Sequence, residues 1–331
     1  MPLYQLDFYS FFLYSCLLCS MGYILLYGEQ YYWFQDARIV WNTFACGALL
    51  ALMIFRQLHM KRPYLNLSVF RSRNFNIGVL LILTLYIVRG ALGMTSQYFA
   101  TVLGMDPIHI GYLMLANIGG IIFSVLISSR LIILKRPMRL IWLYGFFLLL
   151  VFHVWMWFLF STEANATTFI IPLALQGMGA GMLMAPIIVF MISSVPPALA
   201  GSASAMGVFF RFTGFCSSIA VINYFQLQHK AIHINRFQDQ LNGVNSITGD
   251  RLSAYAKALS AKGVAPDQSA RIARGLLSRA IDTQAALRTM MDYYLFISII
   301  LFIILLVITL FPYLNRTRIN LMSSQPSPVG Y

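Results

Sequence analysis

Arg89 is the residue of this sequence whose presence is hardest to explain as packing. It stands near the middle of an apolar run over 76–103. A mid-membrane arginine costs roughly 2.5–3.5 kcal/mol on insertion scales, so such a residue must face protein or a water-filled cavity. Helical spacing aligns Tyr86, Arg89, Gly93, Ser96 and Gln97 in one stripe, a polar face expected to look into a bundle. One reading is an anion, substrate or gating contact. The other is a structural arginine bonded to backbone carbonyls. Arg211 shares a stripe with Ser204, Gly207, Gly214 and Ser218. It lies nearer the end of its run, where a long side chain can snorkel, and this favours a structural or gating role. Asn117, Ser124 and Ser128 form a third stripe, and Gln176 and Asn223 are polar residues inside other runs. Hydrogen bonds between membrane helices are worth about 0.6 kcal/mol each on average. These residues therefore read as bundle glue, or as a substrate lining if they share one cavity. His153 is the one histidine deep in an apolar run, beside Trp155, Trp157 and Phe158. An imidazole titrates near neutrality and suits a proton relay; a packed core histidine fits the aromatic surroundings as well.

These residues need helices to position them, and composition says which kind. Of 331 residues, 59% are apolar and only 10% charged, with a mean hydropathy of +0.74. Soluble domains carry roughly 25% charged residues. Runs of about 20 apolar residues suit membrane-crossing helices, and no period-2 alternation suggests a barrel. Eight spans are expected, over 8–27, 39–58, 76–103, 109–131, 139–160, 168–194, 203–227 and 291–314. The fold class is therefore all-α, a polytopic membrane helix bundle. The 228–290 segment is polar, with helical spacing at Leu252, Tyr255, Ala256 and Leu259. Pro266-Asp267 marks a helix start there, and that helix is expected to run into the last span. Asp106-Pro107 marks the start of the fourth span in the same way.

Small residues bear on packing. Gly177, Gly179 and Gly181 supply a G-x-x-x-G pattern and Gly201 to Ala205 a small-x-x-x-small one, and both are expected to let helices approach closely. No Asp or Glu lies in the middle of a span, although proton-driven pumps commonly use buried carboxylates. Cys16, Cys19, Cys46 and Cys216 all fall in spans and read as soft packing residues, so no metal or cofactor is expected.

The net charge of +13 has a topological explanation. Arg56, Lys61, Arg62, Arg71, Arg73, Arg130, Lys135, Arg136, Arg139, Arg316 and Arg318 fall on one side. Arg38 and the long 228–290 segment fall on the other. Positive residues in short loops stay cytoplasmic, which places both termini in the cytoplasm and makes nucleic acid an unexpected partner. The lipid bilayer is the expected one. No Ser-His pair, H-E-x-x-H or paired carboxylates at depth suggest an enzyme.

Scattered motifs resemble the major facilitator superfamily, in particular its fourteen-helix drug:proton antiporters of the EmrB/QacA type. They are Leu6-Asp7-Phe8-Tyr9, Tyr32-Trp33-Phe34-Gln35-Asp36, Pro63-Tyr64-Leu65-Asn66-Leu67 and Phe70-Arg71-Ser72-Arg73-Asn74-Phe75. Further on come Gln176-Gly177-Met178-Gly179-Ala180-Gly181, Ala185-Pro186, Gly201-Ser202-Ala203-Ser204-Ala205, Arg211-Phe212-Thr213-Gly214, Gln284-Ala285-Ala286 and Asp292. The order covers residues 6–315. The sequence departs from the family at Ser129 to Pro137, where the loop's Gly and Asp are missing, and at Cys216, Ser217 and Ser218, which replace glycines.

The resemblance implies two central linker helices plus the C-terminal six-helix half. In domains, this means 1–75 for the two helices and a cytoplasmic linker, 76–321 for the transporter half including the helical segment 228–290, and 322–331 for a tail. It implies a partial secondary active transporter of the bacterial inner membrane, related to proton-coupled multidrug efflux permeases. Such a chain exports small hydrophobic compounds when an N-terminal half completes it, in the same gene or on a separate chain. A truncated sequence is the expected reason for the missing half, ahead of a separate chain or a pairing of two copies. The alternative is a non-transporting membrane module that binds a periplasmic adaptor protein through 228–290.

Overall fold

The computed structural model describes residues 7–60, 63–240 and 246–310. The bilayer leaves backbone groups no water to bond, and apolar runs satisfy them by forming helices. Eleven α-helices are described: α1 Phe8–Tyr27, α2 Ala37–His59, α3 Arg73–Arg89, α4 Ala91–Thr101, α5 Pro107–Ile133, α6 Met138–Leu159, α7 Ile170–Ser193, α8 Ala200–Tyr224, α9 Lys230–Gln240, α10 Ser246–Ser260 and α11 Pro266–Leu310. Among the described residues, eight helical stretches are long and apolar enough to cross a membrane. The protein is a polytopic helical bundle. Its exterior is apolar where lipid would lie, with Phe12, Trp41, Phe44, Phe158 and Phe302 exposed.

Capping follows the sequence signals. Asp106 accepts from the His109 backbone N–H, with Pro107 in the first helical position. Pro266 opens α11, which runs 45 residues without interruption. The third span forms as the sequence suggests, one apolar helical stretch over Arg73–Thr101. Its only irregularity is at Gly90, which keeps helical backbone angles between α3 and α4. A Cβ at Gly90 would collide with the Ser218 side chain of α8, so glycine lets the span press against that helix. The seventh span differs. It continues through a π-helical turn, Phe225–His229, directly into α9.

α7 is the hub of the bundle. It packs on α5, α6 and α3, while α3 also lies on α8, and α11 on α6. Gly177 and Gly181 touch α5, where a Cβ would overlap the carbonyl of Asn117 or approach that of Ile121 to 2.7 Å. Gly179 faces α6, with the Gly145 carbonyl 2.9 Å from where its Cβ would be. Gly201 is different. Nothing lies within 4 Å of its missing Cβ, so the close approach expected there is absent between described helices. Ala205 is half-buried, and its carbonyl accepts from the Tyr14 hydroxyl at 2.9 Å.

α1 and α2 form a hairpin set against α8. At one end Asp7 accepts from Arg56 at 2.9 Å and Gln57 donates to Ser10 at 2.8 Å. Burial pushes the Asp7 carboxyl up, but hydrogen bonds from Ser10 and Arg56 outweigh it and hold its pKa below 3.8. Arg71, Arg73, Arg130, Arg136 and Arg139 stand at this same end, which carries most of the described basic residues of the short loops. Lys61, Arg62, Arg316, Arg318, Leu6, the 311–314 end of the last span and the 322–331 tail lie outside the described residues. α9 and α10 lie along the first half of α11 at the opposite end.

Candidate functional site: an arginine pair inside the bundle

Arg89 ends α3, immediately before Gly90. Its guanidinium donates from Nη1 to the Met184 thioether of α7 at 3.7 Å. The Tyr86 hydroxyl donates to the same sulfur, also at 3.7 Å. From α8, the Arg211 guanidinium stacks over the Tyr86 ring, 5.4 Å from its centroid. Three helices thus bring two arginines to one tyrosine and one methionine. A thioether is a weak acceptor and an aromatic face a soft one. Among the described residues, no carboxylate pairs with either arginine. A cavity of about 60 Å³ beside Arg211 is lined by Ser204, Gly207 and Met191, which leaves room for water at that cation.

Helix geometry explains the convergence. Tyr86 and Arg89 are three residues apart and share a face. Both arginines are half-buried, whereas Gly93 and Gln97 on α4 are exposed. The sequence suggests one continuous stripe into the bundle, but beyond Gly90 it turns to the surface. There the Gln97 side chain accepts from Gln226 of the π-helical turn.

The other candidates lie elsewhere and do not join this pair. Asn117 donates to the Leu173 carbonyl at 3.0 Å and to the Gln176 side chain, and both amides are buried between α5 and α7. Asn223 donates to the Leu26 carbonyl at 2.8 Å and ties α8 to α1. His153 is fully buried; its Nδ1 lies 2.7 Å from the Leu149 carbonyl and its ring 5.3 Å from that of Tyr294. These contacts join helices.

Sequence reasoning passed over a second polar centre at the far end. Glu29 is 7% exposed and accepts from Trp33 Nε1 at 2.7 Å and from Gln228 at 2.9 Å. It holds a turn in which Tyr32 and Trp33 both have positive φ, at 52° and 53°. Nearby, Asp292 of α11 lies 3.4 Å from His229 and 2.7 Å from His233. Glu29, Trp33, His229 and Asp292 border a cavity of about 740 Å³. The His-x-x-x-His spacing was a signal available in the sequence. Its carboxylate partner, distant along the chain, was not.

No protein-family model matches the chain. It is 26% identical over 239 residues to the probable multidrug resistance protein EmrY of Escherichia coli, covering 70% of this chain and 46% of that protein. It is 24% identical over 229 residues to the multidrug export protein EmrB of the same organism, covering 68% and 44%. The colistin resistance protein EmrB of Acinetobacter baumannii is 22% identical over 300 residues, covering 90% of this chain and 58% of its own length. The chain spans about half the length of the curated relatives it matches. It is therefore a relative of the multidrug export proteins of the EmrB type, along most of its own length and about half of theirs.

Proposed function

We propose that this chain is the C-terminal part of a multidrug efflux permease, and that the Arg89–Arg211 face is where it works against an N-terminal half. The observation that carries this is the arginine pair itself. Two cations held inside a bundle by a thioether and a ring leave most of their hydrogen-bonding capacity unused, and such groups mark transport pathways. Secondary transporters of this kind bind cargo near the midplane, between repeats that rock against each other. In this reading the arginines meet anionic groups of the missing half or of the cargo, and the hub glycines of α7 let α5 and α6 move as one body. The cargo is small and hydrophobic, as the relatives' names as drug exporters suggest. Localisation is the bacterial inner membrane, with the Asp7–Arg56 end in the cytoplasm.

The test is complementation. The chain is expressed in a pump-deficient bacterium alone, and joined in frame to the N-terminal half of the E. coli EmrB protein. Cell accumulation of a fluorescent hydrophobic dye falls only for the joined form. Equal accumulation in both, with the joined protein inserted and folded, sinks the proposal. A stable complex with a periplasmic adaptor and no dye flux supports the module reading instead, for which the folded α9–α10–α11 extension is the suggestive feature. DNA upstream of Met1 that encodes six further apolar spans in frame adds independent support.

A further inference from the structure

The joint between α9 and α11 has the composition of a transition-metal site. His229 closes the π-helical turn and His233 follows one helical turn later on α9. Four residues apart on a helix, two imidazoles project from one face, the spacing that lets a pair bind one ion. Asp292 comes from α11. His229 Nδ1, His233 Nε2 and a carboxylate oxygen of Asp292 all lie within 4.8 Å of one another. We propose that His229, His233 and Asp292 bind a first-row divalent transition ion, with zinc as the reference case.

Geometry and ligand type support this. Tetrahedral zinc ligands at 2.0–2.2 Å from the ion stand about 3.3 Å apart. The His229–Asp292 separation of 3.4 Å already matches. The His233–Asp292 hydrogen bond of 2.7 Å would open by about half an ångström or more, and the imidazole nitrogens, which lie within 4.8 Å of each other, would adjust to the same edge length. Two imidazoles and one carboxylate suit zinc, iron, nickel or copper, whereas calcium and magnesium prefer all-oxygen sets. The His229 ring is held in place, stacked on Phe225 at 4.4 Å between centroids with 23° between planes. Single π-helical turns recur at functional sites, and this one places His229 opposite Asp292. His229 and Asp292 also border the cavity of about 740 Å³, which leaves space beside two of the three ligands for a further one. Three protein ligands with one open position is the arrangement of reactive rather than purely structural zinc sites. Bound metal would fasten α9 to α11 where both helices leave the apolar layer.

The test uses the full chain purified in detergent through a tag without histidine, with Zn2+ in equilibrium dialysis and Co2+ as a spectroscopic probe. The expected result is one metal per chain and a cobalt spectrum without a thiolate charge-transfer band. Loss of an outer-shell partner alone weakens metal sites about 10–100-fold. His233→Ala and Asp292→Asn, which remove direct ligands, should do at least as much, while His109→Ala changes nothing. Thermal melting without metal shows whether each variant is folded. If His233→Ala disturbs the fold, the milder Asp292→Asn decides the matter. No stoichiometric binding by the parent chain overturns the inference, as does binding that survives both ligand variants or vanishes on replacing Cys16, Cys19, Cys46 and Cys216 with serine. Binding is read on the isolated chain, so the outcome is independent of whether the joined protein transports anything.

Discussion

The arginine pair and the histidine–aspartate joint are opposite solutions to placing polar groups at a membrane. Arg89 and Arg211 are permanent cations, and within the described residues their partners are soft: a sulfur at 3.7 Å and a ring at 5.4 Å. The joint has hard partners, with a carboxylate between two imidazoles and a buried glutamate held by an indole and an amide. The first set is under-satisfied where water is scarcest. The second is well bonded where water is available. The difference is one of partner chemistry: the cations meet soft acceptors, the imidazoles a carboxylate.

Mutations separate the two. Arg89→Leu in the joined transporter should lower dye export at least about tenfold, about 1.4 kcal/mol in the rate-limiting barrier. It should raise the folded yield, because a mid-span arginine costs about 2.5–3.5 kcal/mol to insert. Dye efflux and folded yield are measured together, and unchanged export would reduce Arg89 to a structural residue. Glu29→Gln should act the other way. It weakens the acceptor for Trp33 and Gln228 and releases a turn with two positive-φ residues, at a cost of about 1–3 kcal/mol. A lower melting temperature with export intact in the surviving protein is the expected pattern. Tyr86→Leu should have a smaller effect, about 0.5–2 kcal/mol, because it removes the aromatic face that attracts the Arg211 cation. A double-mutant cycle with Arg211→Leu reads that coupling directly.

The smallest effect comes from acidification. The Asp7 pKa is lowered in the folded protein, so its contribution is fully present above the ordinary value of 3.8 and fades as pH falls through the lowered one. Melting in detergent should show this acid-side loss in the parent chain. It should be missing in Asp7→Asn, while neither polar centre changes between pH 5 and 8 on account of Asp7.

Much of the architecture was legible. Apolar runs long enough to span lipid, Asp106-Pro107 and Pro266-Asp267 mark helices by simple rules, and the structure follows them. The irregularity at Gly90 was not legible, because the hydrophobic pattern continues through it and no proline interrupts it. That Gly90 leaves room for the Ser218 side chain of α8 depends on the packing of two helices. Arg89 and Arg211 stood out as charges in apolar runs. That they are linked through Tyr86 and Met184, Arg89 to the sulfur and Arg211 to the ring, depends on the packing of three helices, which periodicity within one helix cannot give. Gly201 failed as a packing site for the same reason: a small residue permits close approach but does not supply the neighbour. The far-end centre was hidden by sequence distance, since 59 residues separate His233 from Asp292.

α11 is one unbroken helix of 45 residues. At about 1.5 Å per residue it is close to 68 Å long, more than twice the roughly 30 Å of a bilayer's hydrocarbon core. Such a rod is a lever. If its membrane half tilts by about 10° during a transport cycle, its far tip sweeps about 6 Å, for a projecting arm of about 35 Å. A displacement too small to notice among lipid tails becomes a side chain's length at the tip, where α10 rides on the arm. The rod would carry a movement inside the bundle out of the membrane as a mechanical signal.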